Sequence, residues 1–313
     1  MKKPINVVFM GTPDFAVPCL NALHTYGCRI ALVVTRPDQP KGRGRKIVPP
    51  PVKIAATALD IPVLQPISLK TEEFYHIIKG IAPDLLVVVA FGHVLPKKIL
   101  DIPVLGAINI HASLLPKHRG PAPIQWAIIN GDDHTGVTTM LMDKGLDTGD
   151  ILLTAETAIS ADDTSQTLHD RLALLGAELI QKTLAGLENG TLHPIPQNHA
   201  LATYAPMLKK QDGHIDWSLS TKKIEQLIRG VTPWPGAVTF LGEKPIKIFN
   251  VLPKPLSIPA IPGTVIAGFS NELRVAAGDG ALSIIEIQGA SGKRMHITDF
   301  LRGAAISTGT VFT

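Results

Sequence analysis

The stretch DLLVVVAFG, residues 84–92, is an almost unbroken apolar run, rich in β-branched residues, that ends at a glycine. Such a run, with no alternation of polar and apolar positions, is typical of a strand buried on both faces of a sheet. Comparable runs are INVVFM (5–10), RIALVV (29–34) and LGAINI (105–110), and segments with helical spacing lie between them. The pattern predicts an α/β fold class: a Rossmann-like, open, mainly parallel sheet with helices on both faces.

A single long helix is predicted to close this α/β domain. The stretch TSQTLHDRLALLGAELIQKTLAGLENG (164–190) has apolar residues at helical spacing, with Thr164 or Ser165 as the cap at its start. Gly190 is the stop, because glycine readily adopts the left-handed conformation that ends many helices. We therefore expect the first domain to span residues 1–193.

The remainder of the chain predicts a linker and a second domain. Residues 194–212 have little periodicity and are interpreted as the linker. TKKIEQLIRGV (221–231) then has the spacing of a helix, and short alternating segments such as KPIKIFNV (244–251) follow, separated by glycine, proline and asparagine. These features predict a small, OB-like β-barrel over residues 213–313.

Composition and motifs exclude several classes of protein. With 313 residues, of which 45% are hydrophobic, the chain can bury a large core, so disorder is not expected. Cys19 and Cys28 fit neither a metal-binding spacing nor a disulfide framework, which favours the reducing cytoplasm. No signal-peptide pattern, membrane-spanning stretch or G-x-G-x-x-G motif for nicotinamide or flavin is found. We expect a cytoplasmic protein that needs no metal.

The net charge of +4 is unevenly distributed. Residues 1–206 contain 18 Lys and Arg against 18 Asp and Glu, whereas residues 207–313 contain 12 against 8. A basic second domain suits a polyanionic partner such as RNA, although so small an excess is also ordinary for a surface that keeps a protein in solution. Both interpretations stay open on charge alone.

A second basic feature is the loop TRPDQPKGRGRKIVPPPVK (35–53), which follows the second predicted strand. Its basic residues face one acid, Asp38, and a solvated surface loop is the ordinary explanation. This loop, however, lies at the carboxyl edge of the sheet, where open α/β sheets bind ligands, so a phosphate-bearing substrate is also consistent with it. The basic residues are Arg36, Lys41, Arg43, Arg45, Lys46 and Lys53.

The strand LGAINI (105–110) contains an asparagine, and a histidine follows it directly, toward the same sheet edge. Because side chains alternate along a strand, Asn109 and His111 share one face. An amide beside an imidazole can stabilise a carbonyl oxygen as it gains negative charge, and histidine can move a proton near neutral pH. This pair is typical of acyl transfer, although a structural asparagine beside a hydrogen-bonded core histidine would have the same spacing.

Asp147 is a candidate third member of this site. It lies in MDKGLDTGDI (142–151), a glycine-flanked loop after a predicted strand, from which it could approach His111 and hold the imidazole charged. Ser113 is nearby, but it lacks the G-x-S-x-G elbow of a nucleophile and is interpreted as shaping the turn. The residues thus leave two interpretations open: acyl transfer in which no serine or cysteine of the protein is placed as the nucleophile, or a structural role for Asn109 and His111.

Two of these stretches resemble the signature motifs of folate-dependent formyltransferases. NIHASLLPKHRGPAPI (109–124) is similar to the family pattern Asn-x-His-x-Ser-Leu-Leu-Pro-x-x-Arg-Gly, and MDKGLDTGDIL (142–152) to the family's aspartate loop. The resemblance continues through nearly the whole chain. Further stretches resemble the members of the family that act on methionyl-tRNA: GTPDFAVPCL (11–20), RPDQPKGRGRK (36–46), QPISLK (65–70), IDWS (215–218) and TPWPGA (232–237).

The resemblance implies an activity and its substrates. The expected reaction moves the formyl group of 10-formyltetrahydrofolate to the α-amino group of methionyl initiator tRNA, for translation initiation. The amine attacks directly, so the protein has to provide orientation, stabilisation of the oxyanion and a route for the proton, with no covalent enzyme intermediate. A monomer is expected, with the folate donor and the tRNA as its partners.

The same resemblance implies roles for individual residues of the first domain. Asn109 and His111 would hold the formyl oxygen, and Asp147 would orient His111 and pass protons. The folate donor would bind along a strand-end stretch and beside the end of a neighbouring strand: Ser113, Leu114, Leu115, Pro116, Phe91 and Gly92. The C-terminal barrel would grip the tRNA together with basic-loop residues, of which Arg43 would reach the acceptor end: Arg36, Lys41, Arg43, Arg45 and Lys46.

Two other functions stay open beside this one. A nucleotide-sugar formyltransferase would share Asn109, His111 and Asp147 and could also have a second domain, but the basic loop favours tRNA. A non-enzymatic RNA-binding protein would explain the basic C-terminal part, but it would leave the catalytic residues without a use.

Overall fold

The apolar runs of the sequence become strands of one sheet in the computed structural model, which describes residues 3–41, 44, 46–256, 259–266, 271–290, 292–304 and 306–313. The chain divides into two units. The first unit comprises Met1–Pro123, His134–Ala158 and His169–Pro206. The second unit comprises Ile124–Asp133, Ile159–Leu168 and Met207–Thr313.

Strands and helices alternate along the first part of the chain, as the apolar runs predict. In chain order they are β1 (Asn6–Gly11), α1 (Val17–Tyr26), β2 (Arg29–Val34), β3 (Gln39–Lys41), β4 (Lys46–Val48), α2 (Pro51–Ala58), β5 (Val63–Leu64), α3 (Glu72–Ile81), β6 (Leu85–Val89), α4 (Lys97–Leu100), β7 (Ala107–His111), α5 (Pro123–Asn130), β8 (His134–Leu141), β9 (Ile151–Ala158) and α6 (Ser165–Asn189). Short 3-10 turns occupy Asp14–Ala16, His199–Leu201 and Lys210–Gly213.

Seven of these strands form one sheet in the order β5-β2-β1-β6-β7-β8-β9. Neighbouring strands from β5 to β7 are parallel, whereas β8 runs antiparallel to both β7 and β9. Strands β1 and β6 are buried along their whole length, which explains their almost unbroken apolar sequences. The predicted α/β fold with a mainly parallel sheet is confirmed.

Helices cover both faces of this sheet. On one face, Ala107 of β7 belongs to the same buried cluster as Phe74 of α3. On the other face, a Cβ placed on Gly176 of α6 would lie 3.1 Å from the side chain of Ile110 in β7 and 3.6 Å from that of Cys19 in α1. Consecutive residues of β7 therefore point alternately to the two helical layers.

Helix α6 begins and ends as its sequence predicts. The hydroxyl oxygen of Thr164, one of the two predicted caps, accepts a hydrogen bond from the Thr167 amide at 3.3 Å. Gly190 follows the last turn with a φ of +65°, the left-handed conformation that ends a helix. Among the helices of the described part of the chain, none has both the length and the apolar character that a membrane span requires.

The basic loop contains a short hairpin that the sequence did not predict. Strands β3 and β4, of three residues each, pair antiparallel, with Gln39 opposite Val48 and Lys41 opposite Lys46. The strands escaped prediction because they are very short and because Pro40 lies inside the first of them, where a two-stranded hairpin tolerates it.

The second unit contains an antiparallel sheet and its own helices. After residue 206 the elements are α7 (Thr221–Gly230), β10 (Ala237–Leu241), β11 (Lys244–Lys254), β12 (Leu273–Ala276), β13 (Ala281–Gln288), β14 (Met295–His296) and α8 (Ile297–Gly303). The strand order is β10-β11-β13-β12, and β14 pairs with β13.

Short segments join the two edges of this second sheet. Strand β10 pairs with Phe312 near the end of the chain, Val311 pairs with Thr264, and Val265 pairs with β12. The pairing thus returns from one edge of the sheet to the other, as it does in a small barrel. The predicted barrel-like C-terminal domain is confirmed.

The two units differ from the predicted domains in four places. Ile159–Leu168, predicted in the first domain, and residues 207–212, the last part of the predicted linker, belong to the second unit. Residues 194–206, the first part of the predicted linker, belong to the first unit. Helix α5, apart from its first residue, belongs to the second unit, where Trp126 and Ile129 pack against a buried hydrophobic cluster that includes Ile224. These contacts join residues far apart in sequence, so periodicity could not reveal them.

Candidate active site

Strand β7 carries Asn109 and His111 to the carboxyl edge of the parallel strands. Both side chains share the face of Ala107, because residues alternate along a strand. Strand β7 lies inside the sheet, where it is hydrogen-bonded to β6 on one side and to β8 on the other, so its backbone is fixed in position. Asn109 is half-buried and His111 is buried, which places the pair at the boundary between the core and solvent.

The imidazole of His111 has a fixed tautomer. Its Nε2 lies 2.9 Å from the backbone carbonyl oxygen of His118, and a carbonyl can only accept a hydrogen bond, so Nε2 carries a proton. Nδ1 is the nitrogen that faces Asp147, 3.7 Å from its Oδ2. The imidazole therefore presents Nδ1 for the exchange of a proton.

The carboxylate of Asp147 lies between Asn109 and the backbone of Gly120. Oδ1 accepts a hydrogen bond from Asn109 Nδ2 at 3.3 Å, and Oδ2 accepts one from the Gly120 amide at 2.8 Å. The side chains of His111 and Asp147 are only 7% and 14% exposed, so water screens their interaction weakly. The structure brings together the three residues that the sequence predicted as catalytic.

The stretch predicted to line the folate site is largely buried. Ser113 has no exposed surface, and its hydroxyl donates a hydrogen bond to the carbonyl of Lys117 at 2.6 Å. Leu115 is also buried, whereas Leu114 and Pro116 are half-buried. Ser113 therefore shapes the turn, and Leu114 and Pro116 supply the accessible side-chain surface of this stretch.

Phe91 and Gly92 lie just beyond the end of the neighbouring strand, β6. The Phe91 side chain is buried, and its carbonyl accepts a hydrogen bond from Thr12 Oγ1 at 3.4 Å. The carbonyl of Gly92 accepts a hydrogen bond from Arg36 Nη2 at 2.7 Å. Arg36, which is predicted to bind tRNA, is therefore in contact with Gly92, which is predicted to bind folate. Burial, and after it the charge of Arg36, lowers the pKa of His93 beside them.

The charges of the basic loop have different surroundings. Lys53 Nζ lies 2.8 Å from Oδ2 of Asp38 and 2.8 Å from Oε1 of Gln65, so its charge is largely compensated. Hydrogen bonds from Lys53 and Gln65 hold the pKa of Asp38 below its usual value. Lys46 on β4 is exposed, as is Arg36. Three predicted tRNA contacts fall outside the description: Arg43, Arg45 and the side chain of Lys41.

Sequence reasoning missed the polar residue that supports the Asp147 loop. Gln197 donates hydrogen bonds to the backbone carbonyls of Asp147 and Gly149, and it accepts hydrogen bonds from Arg119. Gln197 lies in the predicted linker, where no periodicity or motif marked it. The available signal was a polar side chain in PIPQNH (194–199), which follows two prolines and precedes the 3-10 turn at His199–Leu201.

The sequence matches two family models. Residues 4–184 match the formyl transferase family, and residues 207–305 match the formyl transferase C-terminal domain. The chain is 50% identical over 305 residues to the methionyl-tRNA formyltransferase of Citrifermentans bemidjiense, and the aligned region covers 97% of this chain and 95% of that protein. It is 52% identical over 307 residues to the methionyl-tRNA formyltransferase of Syntrophus aciditrophicus, which covers 98% of each chain.

Solved structures share the fold at low sequence identity. An N-formyltransferase from Helicobacter canadensis, in complex with folinic acid and dTDP-3-aminofucose, has a TM-score of 0.67 and 20% identity, covering 93% of this chain and 100% of its own. HypX from Aquifex aeolicus in complex with tetrahydrofolic acid has a TM-score of 0.65 and 16% identity, covering 96% of this chain and 47% of its own.

The predicted resemblance to formyltransferases is confirmed by these matches. Both family models and the similar relatives extend over nearly the whole chain, including the strand end and the loop that carry Asn109, His111 and Asp147. This chain therefore belongs to the formyltransferase family and, within it, to the methionyl-tRNA formyltransferases.

Proposed function

We propose that the protein transfers the formyl group of 10-formyltetrahydrofolate to the α-amino group of methionyl initiator tRNA, for translation initiation. The observation that carries this proposal is the meeting of Asn109, His111 and Asp147 at the carboxyl edge of the parallel strands. This cluster can stabilise charge on a carbonyl oxygen and move a proton, which are the two requirements of direct acyl transfer to an amine.

Asn109 and His111 act on the formyl oxygen. The donor supplies an activated formyl carbon, and negative charge develops on its oxygen as the amine attacks. The carboxamide of Asn109 and Nδ1 of His111 share one strand face. The carboxamide donates to that oxygen directly, and Nδ1 donates to it once the imidazole has taken up the proton of the attacking amine. Loss of one such donor typically lowers kcat by about 100- to 1,000-fold.

The pair of His111 and Asp147 moves the proton. The C–N bond to methionine forms while the bond from the formyl carbon to the folate nitrogen breaks, so one proton leaves the attacking amine and one reaches the departing nitrogen. His111 Nδ1 can accept the first proton and return it, and the Asp147 carboxylate stabilises the imidazolium between these steps. Since the Ser113 hydroxyl is engaged with Lys117, the amine of the substrate serves as the nucleophile.

The ends of β6 and β7 are the proposed contact for the folate donor. These strands are adjacent and parallel, so the segment around Phe91 and Gly92 neighbours the stretch Ser113–Pro116. The proposed contacts are the exposed backbone of Gly92 and the half-buried side chains of Leu114 and Pro116, with buried Phe91, Ser113 and Leu115 fixing their shape. No catalytic step depends on this assignment.

The basic loop and the C-terminal unit are the proposed contacts for the tRNA. Arg36 and Lys46 are exposed at or beside the carboxyl edge that carries the site, and residues 207–313, the C-terminal part of the second unit, contain 12 Lys and Arg against 8 Asp and Glu. Lysine and arginine bind phosphates of any sequence, so most of these contacts give affinity and not selectivity. The remaining proposed contacts are Lys41, Arg43 and Arg45.

Basic-loop variants separate affinity from selectivity. We expect Lys41→Ala and Lys46→Ala to weaken binding of all tRNAs alike and to flatten the salt dependence, because each removes a phosphate contact. Arg43→Ala is also expected to reduce the preference for initiator over elongator methionyl-tRNA. Formylation of both tRNAs across a salt series measures these effects. Lys97→Ala, which removes an exposed lysine paired with Asp101, is the control, and unchanged rates and ratio for Arg43→Ala would contradict the assignment.

A comparison of acceptors tests the proposed function. The folate donor is offered with methionyl initiator tRNA, methionyl elongator tRNA and an amino nucleotide sugar in parallel. We expect rapid formylation of the initiator tRNA alone. Preferential formylation of the nucleotide sugar would identify a sugar formyltransferase, and tRNA binding without formylation of any acceptor would identify an RNA-binding protein.

A further inference from the structure

Gln197 is buried in the first unit, 6% exposed, and uses its whole side-chain amide. Nε2 donates to the carbonyl oxygen of Asp147 at 2.9 Å and to that of Gly149 at 2.7 Å. Oε1 accepts from Arg119 Nε at 3.1 Å and from Arg119 Nη2 at 2.6 Å. Carbonyl oxygens only accept and a guanidinium only donates, so the amide has one possible orientation.

These hydrogen bonds hold the backbone on both sides of the catalytic carboxylate. Asp147 has a φ of +52° and lies two residues before Gly149, so the two bonds from Gln197 fix one short, left-handed turn. The carboxylate that projects from this turn reaches Asn109 and His111. A small rotation of the turn would move the carboxylate away from both.

Gln197 also fixes the second support of the carboxylate. Its partner Arg119 is 2% exposed and precedes Gly120, whose amide donates to Asp147 Oδ2 at 2.8 Å. One side chain thus connects the backbone that carries the carboxylate to the backbone that binds it. Because Arg119 is buried, its guanidinium needs hydrogen-bond acceptors. Oε1 of Gln197 accepts two of its hydrogen bonds, and Nδ1 of His199 lies 3.0 Å from Nη2.

Residues after Gln197 support the histidine in the same way. Thr203 Oγ1 accepts from the His118 amide at 2.8 Å, and the Thr203 carbonyl accepts from the Arg119 amide at 2.8 Å. The carbonyl of His118 in turn fixes Nε2 of His111. The segment that joins α6 to the second unit therefore supports both partners of the proton-transferring pair.

We propose that Gln197 is a positioning residue of the reaction, which keeps the Asp147 carboxylate in contact with Asn109 and His111. This inference rests on the proposed function of the site. Gln197 does not touch the reacting atoms, and it acts through the backbone at Asp147 and Gly149. Its loss therefore lowers the rate of the bound complex more than it lowers the binding of either substrate.

Gln197→Glu is the sharpest variant. A carboxylate keeps the size of the side chain and the hydrogen bonds from Arg119, but it cannot donate to the carbonyls of Asp147 and Gly149. Gln197→Ala removes both sets of bonds. We expect both variants to lower kcat by about 10- to 100-fold, since a displacement of about 1 Å can cost 100-fold. KM for methionyl-tRNA and for the donor is expected to change less than about 2-fold, because binding does not depend on this alignment.

A measurement independent of activity follows the carboxylate itself. The Gly120 amide donates to Asp147, so release of the turn exposes that amide to solvent exchange. We expect hydrogen–deuterium exchange at Gly120 to become at least about 10-fold faster in Gln197→Glu than in the wild type at equal global stability. Gln181→Ala is the matched control, since it removes a glutamine bond to the Ala22 carbonyl on the opposite face of the sheet.

The results separate this proposal from the proposed function. Slow exchange at Gly120 in both variants overturns the positioning role, and so does fast exchange with unchanged kcat. An increase in KM with unchanged kcat overturns it as well, because it would make Gln197 a binding residue. A wild-type protein that formylates no acceptor overturns the proposed function, while the exchange measurement still decides whether Gln197 holds Asp147.

Discussion

His111→Ala is expected to lower the turnover of methionyl-tRNA by about 100-fold or more, while the fold and the affinity for tRNA persist. The variant removes Nδ1, the nitrogen beside the Asp147 carboxylate, and with it the group that exchanges the proton. The hydrogen bond from Nε2 to the buried His118 carbonyl is also lost, which is expected to lower the free energy of unfolding by about 1–3 kcal/mol without unfolding the domain. Steady-state formylation kinetics measure the effect.

Two controls make the His111 result interpretable. Asn109→Ala is expected to reduce turnover similarly, because its amide shares the strand face and the formyl oxygen. His24→Ala, which removes an exposed histidine of α1, is expected to have normal kinetics. Near-normal turnover of His111→Ala would contradict the catalytic role, and unfolding of the domain would favour a purely structural histidine.

Asp147→Asn is expected to cause a loss of about 100-fold or more in kcat, with binding of the folate donor largely retained. Asparagine is the appropriate replacement because it tolerates the left-handed φ of +52° that this position requires. It keeps the shape of the side chain but removes the charge that lies 3.7 Å from Nδ1 of His111. The imidazolium formed during proton transfer would then have no counter-charge.

The pH–rate profile provides the check on Asp147. Without the carboxylate, the imidazolium that forms during proton transfer has no counter-charge, so the dependence of kcat on pH is expected to change in shape as well as in height. Donor binding, followed by fluorescence titration, serves as the control for an intact site. An unchanged profile at near wild-type turnover would show that Asp147 only caps its loop through the Gly120 amide.

Much of the fold followed from local patterns. The runs that became β1, β2, β6 and β7 are apolar because parallel strands are buried on both faces, and this signal does not depend on distant residues. The caps at Thr164 and Gly190 are equally local. The β3–β4 hairpin and the assignment of α5 to the second unit depend on contacts between separate segments, which no local pattern records.

The site shows the same distinction. Asn109 and His111 are two residues apart on one strand, so the period of a strand was sufficient to pair them. Asp147 required the additional inference that a loop after a later strand returns to the same edge. Gln197 is a single polar residue 50 positions from Asp147, and only the folded backbone shows that its amide meets two carbonyls there.

The hydrogen bonds between the segment after α6 and the active-site loops determine where the catalytic part of the polypeptide ends. A polypeptide cut after residue 193 would contain Asn109, His111 and Asp147 but would lack Gln197 and Thr203, which brace the turn and the strand end. A cut after Pro206, where the first unit ends, would keep these braces. A protease that cleaves between residue 193 and Gln197 would therefore separate both contacts from the catalytic polypeptide, and we expect formylation to fall at least as far as in Gln197→Ala while every reacting group stays covalently in place.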